Sequence, residues 1–162
     1  MTTENKRLGK HLGLSLLLLS ALLSTACGAK IVRGASPMVR MTELSHQDNN
    51  INLQLSMRNL NGVDLDVMSI DFRLTVNEDE DELFVYDGPV ETNIVANGTE
   101  TWSVDVVESE ASRELLNSLE NGDIKSLPYT LKGSVTSKDE GKLGFEYEGH
   151  LYPLPGRPGH FR

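Results

Sequence analysis

The stretch INLQLSMRNLNGVDLDVMSIDFRLTVN, residues 51–77, decides the fold class of this chain. In both of its halves, apolar side chains occupy every second position and polar ones stand between them. The apolar positions are Ile51, Leu53, Leu55, Met57, Ile70, Phe72, Leu74 and Val76. A period of two predicts β-strands with one buried face, as in antiparallel sheets that have one dry side.

More short strands follow this stretch. DELFVYDG (81–88) comes after an acidic turn, and alternation returns at 129–135 and 143–147. ETNIVA (91–96) and TETWSVDVV (99–107) flank Asn97-Gly98, a dipeptide that favours a type I′ hairpin, so these two segments are predicted to pair with each other. Trp102 lies on a strand of period two, and we expect the indole to be part of the core rather than a ligand platform.

One segment, SEASRELLNSLENGD (109–123), has the pattern of a helix instead. Ser109 is a suitable N-cap, Leu115, Leu116 and Leu119 have helical spacing, and Gly122 follows as a stop signal. The predicted fold class is therefore all-β, an antiparallel sandwich with one short helix inserted late in the chain.

The N-terminal segment has the order of a secretory signal peptide. Basic residues precede the apolar run LGLSLLLLSALL (12–23), which is shorter than the roughly 20 residues of a membrane span. The following LSTAC (23–27) resembles the bacterial lipobox, although Ser24 stands where an aliphatic residue is usual. The resemblance implies that residues 1–26 are removed and that Cys27, the only cysteine, becomes a lipid-modified first residue.

Lipidation at Cys27 would place the protein in a bacterial cell envelope, since several acyl chains on one residue give stable anchoring without a transmembrane helix. Gly28 after the cysteine favours the outer membrane, with the domain facing the periplasm. Residues 27–37 are predicted to form a flexible tether, and residues 38–151 the folded domain. The tail LYPLPGRPGHFR (151–162) is too rich in Pro and Gly to form a central strand. Residues 152–162 are therefore expected to be either a disordered end or a docking segment for a partner.

The charge balance restricts the partners. The chain has 15 Lys and Arg against 24 Asp and Glu, a net charge of −9, and removal of the basic leader makes it more acidic. We expect no binding to nucleic acid, whose phosphates attract clustered cations. An anionic membrane surface would also repel the domain as a whole, so the lipid would have to hold it there.

No group of residues with the pattern of a catalytic or metal site is present. The sequence has no G-x-S-x-G, no H-E-x-x-H and no phosphate-binding glycine loop. His46, His150 and His160 lack the spacing of metal ligands. The acidic run at 77–82 lacks the order and central glycine of a calcium loop, and a solvated turn is expected instead. We predict no catalytic, cofactor-binding or metal-binding residue and no enzymatic activity.

Two segments, LQLSMRNLNGVDLDVMSIDFRL (53–74) and LLNSLENGDIKSLPYTLKGSV (115–135), resemble the late-embryogenesis-abundant type 2 family, also called the water-stress-and-hypersensitive-response domain. Tyr129, Leu131, Gly133 and Val135 match its aromatic-x-Leu-x-Gly-x-Val strand, whereas Leu60 replaces a frequent proline. The resemblance implies an immunoglobulin/fibronectin-III-like sandwich, no cofactor, no catalytic residues and a link to desiccation or other stress.

The leading hypothesis is a non-enzymatic, lipid-anchored envelope protein that acts as a stress-associated protective or binding module. Its partners would be the membrane, through the lipid on Cys27, and an envelope protein recruited at a sheet edge. The alternative is a periplasmic carrier for an apolar ligand such as a lipid. An enzyme acting on envelope polymers is the third and weakest hypothesis.

Overall fold

The computed structural model describes residues 32–47, 50–76 and 81–162, so the predicted leader, Cys27 and most of the acidic run lie outside the described residues. The strands are β1 Met38–Gln47, β2 Asn50–Arg58, β3 Leu65–Val76, β4 Asp81–Ile94, β5 Thr99–Val107, β6 Leu127–Ser137, β7 Gly141–Leu151 and β8 His160–Phe161. One α-helix, α1 (Glu110–Glu120), is found in the described part of the chain.

The strands form two four-stranded antiparallel sheets. The first sheet has the order β5-β2-β1-β8, and the second has the order β4-β3-β6-β7. Apart from β8, this division into three strands and four strands is the fibronectin-III-like arrangement, with α1 inserted between β5 and β6. The all-β sandwich predicted from alternation is confirmed.

The core lies between the two inner faces. All eight apolar positions of the stretch 51–77 are buried, each with no more than 2% of its surface exposed. The facing strands contribute Tyr129, Leu131, Val135, Leu143 and Phe145 to the same cluster. Every residue of this hydrophobic core lies between Val39 and Phe161, so a chain that begins at Gly28 contains all the described contacts that hold the fold together.

Helix α1 begins and ends where the sequence predicts. The Ser109 hydroxyl accepts a hydrogen bond from Ser112 N at 3.1 Å, and the Ser112 hydroxyl accepts one from Ser109 N at 2.9 Å. The two bonds satisfy backbone donors that a helix start leaves free. Leu116 and Leu119 are fully buried, and Gly122 follows with a φ of +82°. The helix carries the chain from the first sheet to the second.

The predicted hairpin at Asn97-Gly98 is wrong. Residues 91–94 belong to β4, which pairs with β3, whereas β5 pairs with β2 in the other sheet. The dipeptide does form a tight turn, in which Gly98 N donates to Val95 O at 2.8 Å and Asn97 has a φ of +58°. Of the two residues, only Asn97 has a positive φ, so the turn is not of type I′, and this local signal does not specify that the flanking strands pair. Here it guides the chain across the sandwich.

The C-terminal tail folds back onto the first sheet, which differs from the expectation of a disordered end. His160 and Phe161 pair with Ser45 and Leu44 of β1, and the Phe161 side chain is completely buried. Tyr152 and Arg162 exchange two backbone hydrogen bonds, of 2.8 and 3.0 Å. The prolines do exclude a central strand, but they precede β8, which is a short edge strand where missing donors are tolerated.

Gly133 shows why the family-like strand requires a glycine. It lies opposite Phe72 in the β3–β6 pair, and a Cβ placed on it would overlap Asp71 O and come within 2.7 Å of Phe72 Cα. These are backbone atoms of the neighbouring strand and cannot move aside without opening the sheet. Any side chain at this position therefore disturbs the centre of the second sheet.

We expect Gly133→Ala to lower the free energy of unfolding by about 3 kcal/mol, because overpacking against backbone strains the sheet. Urea denaturation of the chain from Gly28 onward measures this loss. Gly144→Ala on the adjacent β7 is the matched control, since the nearest atom to its added Cβ is 3.8 Å away. Equal stability of the two variants would contradict the proposed role of Gly133.

Candidate functional site

Asn59 and Asn61, here called the asparagine pair, form a buried polar network between β2 and β3. Both residues are completely buried. The Asn59 amide donates to Val63 O at 2.8 Å and to Ile94 O at 3.0 Å, and its Oδ1 accepts from the backbone and side-chain nitrogens of Asn61. The pair thereby fixes both the β2–β3 turn and the end of β4.

The asparagine pair also holds the segment that precedes the first strand. Asn61 Oδ1 accepts from Ala35 N at 2.8 Å, and Asn61 Nδ2 donates to Ala35 O at 3.0 Å. Gly62 N donates to Val32 O at 2.9 Å. The C-terminal part of the predicted tether is therefore attached to the domain. Leu60, between the two asparagines, is 39% exposed. The hydrogen bonds of the asparagine side chains hold this turn without a proline.

Asn59→Ala should destabilise the domain by at least about 3 kcal/mol, because it leaves several buried carbonyls and amides without partners, at about 1–3 kcal/mol for each. Thermal or urea unfolding measures this effect. Asn52→Ala removes an amide that bonds Asp105 at the surface, at 2.7 Å, and should cost under about 1 kcal/mol. If both changes have the same small effect, the asparagine pair does not stabilise the fold as described.

A second polar cluster surrounds His46 on β1. Its Nδ1 lies 3.3 Å from a carboxylate oxygen of Glu108, and its Nε2 lies 3.5 Å from one of Glu120. Glu108, whose side chain is 3% exposed, is also bound by Arg113 at 2.9 Å, and this carboxylate raises the pKa of the Arg113 guanidinium. The cluster joins β1 to both ends of α1.

The tail is held by related contacts. Glu120 Oε1 accepts from Gly159 N at 3.0 Å, and His160 Nδ1 lies 2.8 Å from Glu43 Oε1. Arg157 lies 3.1 Å from the same Glu43 oxygen. The hydrogen bond with His160, supported by Arg157, lowers the pKa of Glu43 below its usual value. These ion pairs attach the tail to the first sheet beside β8.

His46, His150 and His160 have different surroundings and do not form one cluster. His46 and His160 bind carboxylates as described, and His150 stacks on Tyr152 with ring centroids 6.3 Å apart. Within the described ranges, no group of three or more His, Cys, Asp or Glu side chains is arranged to hold a metal ion. Glu82, at the described end of the acidic run, pairs with Arg73 at 2.7 Å.

Sequence reasoning did not identify the carboxylates around His46 and His160. His46 and Glu120 are 74 positions apart, and nothing in the local pattern of either residue marks the contact. Glu108 lies between a strand pattern and a helix cap, and these two signals place it beside the sandwich. They do not identify His46 as its partner. Trp102 is half-buried and packs against the core, in agreement with the expectation for it.

The contact between Glu43 and the tail should depend on pH. A carboxyl with a lowered pKa in the folded state stabilises the fold above its unfolded pKa, and this contribution is lost as the pH falls through the folded value. We therefore expect Glu43→Gln to destabilise the domain slightly near neutral pH, by under about 1 kcal/mol for so exposed a pair.

The difference between Glu43→Gln and the unmodified chain should shrink as the pH falls below the ordinary pKa of Glu, and it should vanish only below the lowered folded-state pKa of Glu43, where both side chains are uncharged. Paired urea titrations across this range measure it. Glu146→Gln is the control, because it removes a more exposed ion pair, with Lys132 at 3.0 Å, from the second sheet. A difference between Glu43→Gln and the unmodified chain that grows on acidification would contradict the assignment.

The sheets leave edges that a partner strand could reach. β4 and β5 are outer strands of the two sheets, and β7 is the other outer strand of the second. β8 pairs only with Leu44 and Ser45, so the first half of β1 has no described strand beside it on that side. A separate groove of about 420 Å³ lies between α1 and the β3–β4 hairpin, and its apolar lining includes Val76, Leu83 and Leu115.

One solved structure shares the fold at a TM-score above 0.5, and two others are similar at lower scores. A protein of Arabidopsis thaliana solved in solution is 14% identical to this chain, with a TM-score of 0.55, and the match covers 84% of this chain and 94% of that one. A protein described as a candidate late embryogenesis abundant protein is 15% identical over 93% of this chain and 91% of that one, with a TM-score of 0.46. A protein of Archaeoglobus fulgidus is 12% identical, with a TM-score of 0.47, over 77% of this chain and 98% of that one.

No family model and no curated protein matches the sequence. At these identities, the structural likeness shows the fold and not the activity. In the part of the chain that the structure describes, no helix is both long and apolar enough to cross a bilayer.

Proposed function

We propose that this protein is a non-enzymatic, lipid-anchored envelope protein with a late-embryogenesis-abundant type 2-like sandwich, and that it acts as a stress-associated protective or binding module. The observation that carries the proposal is the combination of the fibronectin-III-like strand order with the two family-like segments, which supply the asparagine pair and Gly133. Both features have a structural explanation in this fold, which supports the resemblance beyond the residue pattern alone.

A non-enzymatic role is supported by the way in which the reactive side chains are used. Glu108 and Glu120 flank His46, and Glu43 binds His160, so these groups connect β1 with α1 and the tail. Glu120 and His160 also line a groove of about 300 Å³ beside the tail, but Glu120 is bonded there to the backbone of Gly159 and His160 to Glu43, whereas a general base must be able to reach its substrate. The open edges of β4, β5 and β7 offer backbone donors and acceptors, so a client could bind by strand addition.

The anchor is tested at Cys27. In the native host, the N-terminal peptide of the mature protein should begin at Cys27 and carry acyl chains, as measured by mass spectrometry of the membrane fraction. Cys27→Ala should leave the leader attached, because the lipid-dependent peptidase needs the modified cysteine. Ser24→Leu, which restores the usual aliphatic residue, should be processed at least as completely. A mature N-terminus elsewhere would overturn the anchoring proposal.

The proposed role in stress is tested by identifying the proteins that this protein contacts during stress. In-cell crosslinking of the tagged protein during drying or osmotic stress, followed by mass spectrometry, should yield one abundant envelope client that is lost in Cys27→Ala. Deletion of the gene should reduce survival of drying, and the Gly144→Ala chain, which should preserve the fold, should restore survival. Unchanged survival and the absence of any stress-dependent partner would overturn the module proposal.

A second candidate function is supported by the groove between α1 and the β3–β4 hairpin. Its lining includes Val76, Leu83 and Leu115, and Glu114 stands at its rim, so a positive head group on a bound amphiphile would be favoured there. This favours a carrier for cationic amphiphiles over one for anionic lipids. Native mass spectrometry of gently purified protein tests it: a bound small molecule that Leu115→Arg abolishes would support a carrier, and bare polypeptide would count against it.

A further inference from the structure

Six of the eleven Lys and Arg side chains in the described part of this acidic domain are engaged by a carboxylate, and two of the other five are neighbours on adjacent strands. The paired cations are Arg33 with Glu140, Arg73 with Glu82, Arg113 with Glu108, Lys132 with Glu146, Lys142 with Asp71 and Arg157 with Glu43. Arg40 and Arg58 have no carboxylate within 4.0 Å among the described residues. Lys125, Lys138 and Arg162 also lack such a partner there, but none of them lies beside another in a strand pair.

Arg40 and Arg58 lie on the same outer face of the first sheet. In the β1–β2 register, Arg40 is opposite Ser56 and Arg58 is opposite Met38, so the two arginines are diagonal neighbours on adjacent strands. Diagonal Cβ atoms are about 7–8 Å apart, a distance over which two guanidinium groups can converge on one anion. Both side chains are exposed to solvent.

The surroundings of the two arginines suit an anion. They line a shallow groove of about 330 Å³ together with Ser56, Asn97 and Thr99, whose hydroxyl and amide groups can donate hydrogen bonds. We call these five residues the arginine patch. In the β2–β5 register, the nearest acidic residue is Glu100, which is opposite Met57. Met57 points into the core, so this pair of strand positions does not face the patch. Two like charges held together without a counter-ion are unfavourable, so a bound anion would stabilise them.

The position of the arginine patch indicates the source of that anion. The patch lies where β1 begins and β2 ends, at the end of the sandwich where Asn61 holds Ala35. Cys27 is eight residues before Ala35, so a lipid on it would lie within roughly 29 Å of Ala35 along the chain. Helix α1, with Glu110, Glu114 and Glu120, follows the opposite end of β5. Acidic groups lie at both ends of the sandwich, because Asp64, Asp66 and Glu140 stand at the end where the chain enters.

We propose that the arginine patch binds the phosphate of phospholipid head groups at the membrane surface that carries the anchor. The proposal rests on the proposed function, because only an anchored domain would be held close to that surface. Each arginine near an anionic bilayer contributes on the order of a fivefold gain in affinity, so the pair contributes roughly 30-fold. The patch would turn the outer face of the first sheet toward the bilayer, although the domain as a whole is acidic.

The test uses the chain from Gly28 onward, which lacks Cys27 and contains all described contacts of the fold. Its co-sedimentation with phosphatidylcholine vesicles containing phosphatidylglycerol is measured at low ionic strength, where electrostatic attraction is least screened. Arg40→Gln combined with Arg58→Gln should weaken binding roughly 30-fold. Arg73→Gln combined with Lys132→Gln removes the same charge from the other sheet and should change binding less than about threefold.

Absence of binding by the unmodified chain, or an equal loss in both double variants, would overturn the proposal. Inorganic phosphate is tested in parallel by NMR titration of the arginine side chains. Binding of phosphate without binding of vesicles would show a site for free anions and would also overturn the lipid assignment. Because this chain has no Cys27, failure here is separate from failure of the anchor, which the N-terminal peptide of the full chain reports.

Discussion

The hydrogen bonds of Asn59 and Asn61 are the constraint on which the rest of this fold depends. The two side chains are buried in the one place where the chain enters the domain, leaves β2, starts β3 and crosses from β4 to β5. Asn97 N adds a bond to Asn61 O at 3.1 Å, and Asn59 N adds one to Gly98 O at 2.9 Å. These hydrogen bonds join the segment at Ala35, the β2–β3 turn and the β4–β5 turn, and none of the three can shift without leaving buried polar groups unsatisfied.

This arrangement separates the two ends of the sandwich by their chemistry. One end is closed by neutral amides and backbone groups. The opposite end is closed by titratable side chains: Glu108 and Glu120 contact His46 of β1, and Glu43 of β1 pairs with Arg157 of the tail. Hydrogen bonds of neutral amides are little affected by salt or pH, whereas a partly exposed ion pair such as that of Glu43 with Arg157 is weakened by both salt and acid. The two ends should therefore respond differently to the concentration of solutes that accompanies drying.

The sequence predicted what depends on local pattern and missed what depends on distant partners. Alternation in residues 51–76 specified buried strands, because a strand that buries one face must place apolar residues at every second position. Ser109 and Gly122 specified the helix ends for similarly local reasons. Asn97-Gly98 specified a turn but not the strands that pair around it, since pairing of β5 with β2 is a property of the whole sandwich. The prolines of the tail indicated a loose end, and the burial of Phe161 was not predicted. It depends on a site on β1 that is distant in sequence.

The burial of Phe161 also bears on how the protein is made. A ribosome completes the chain from its N-terminus, so every other core residue has been synthesised before Phe161 reaches its site on β1. The first sheet must wait in addition for β5, because β2 pairs with a strand 49 positions further along. Until the last segments arrive, the inner faces lack part of their cover. In a protein exported as proposed above, such a late closure would delay the completion of folding, and an incompletely folded chain is the form that a narrow export channel can admit.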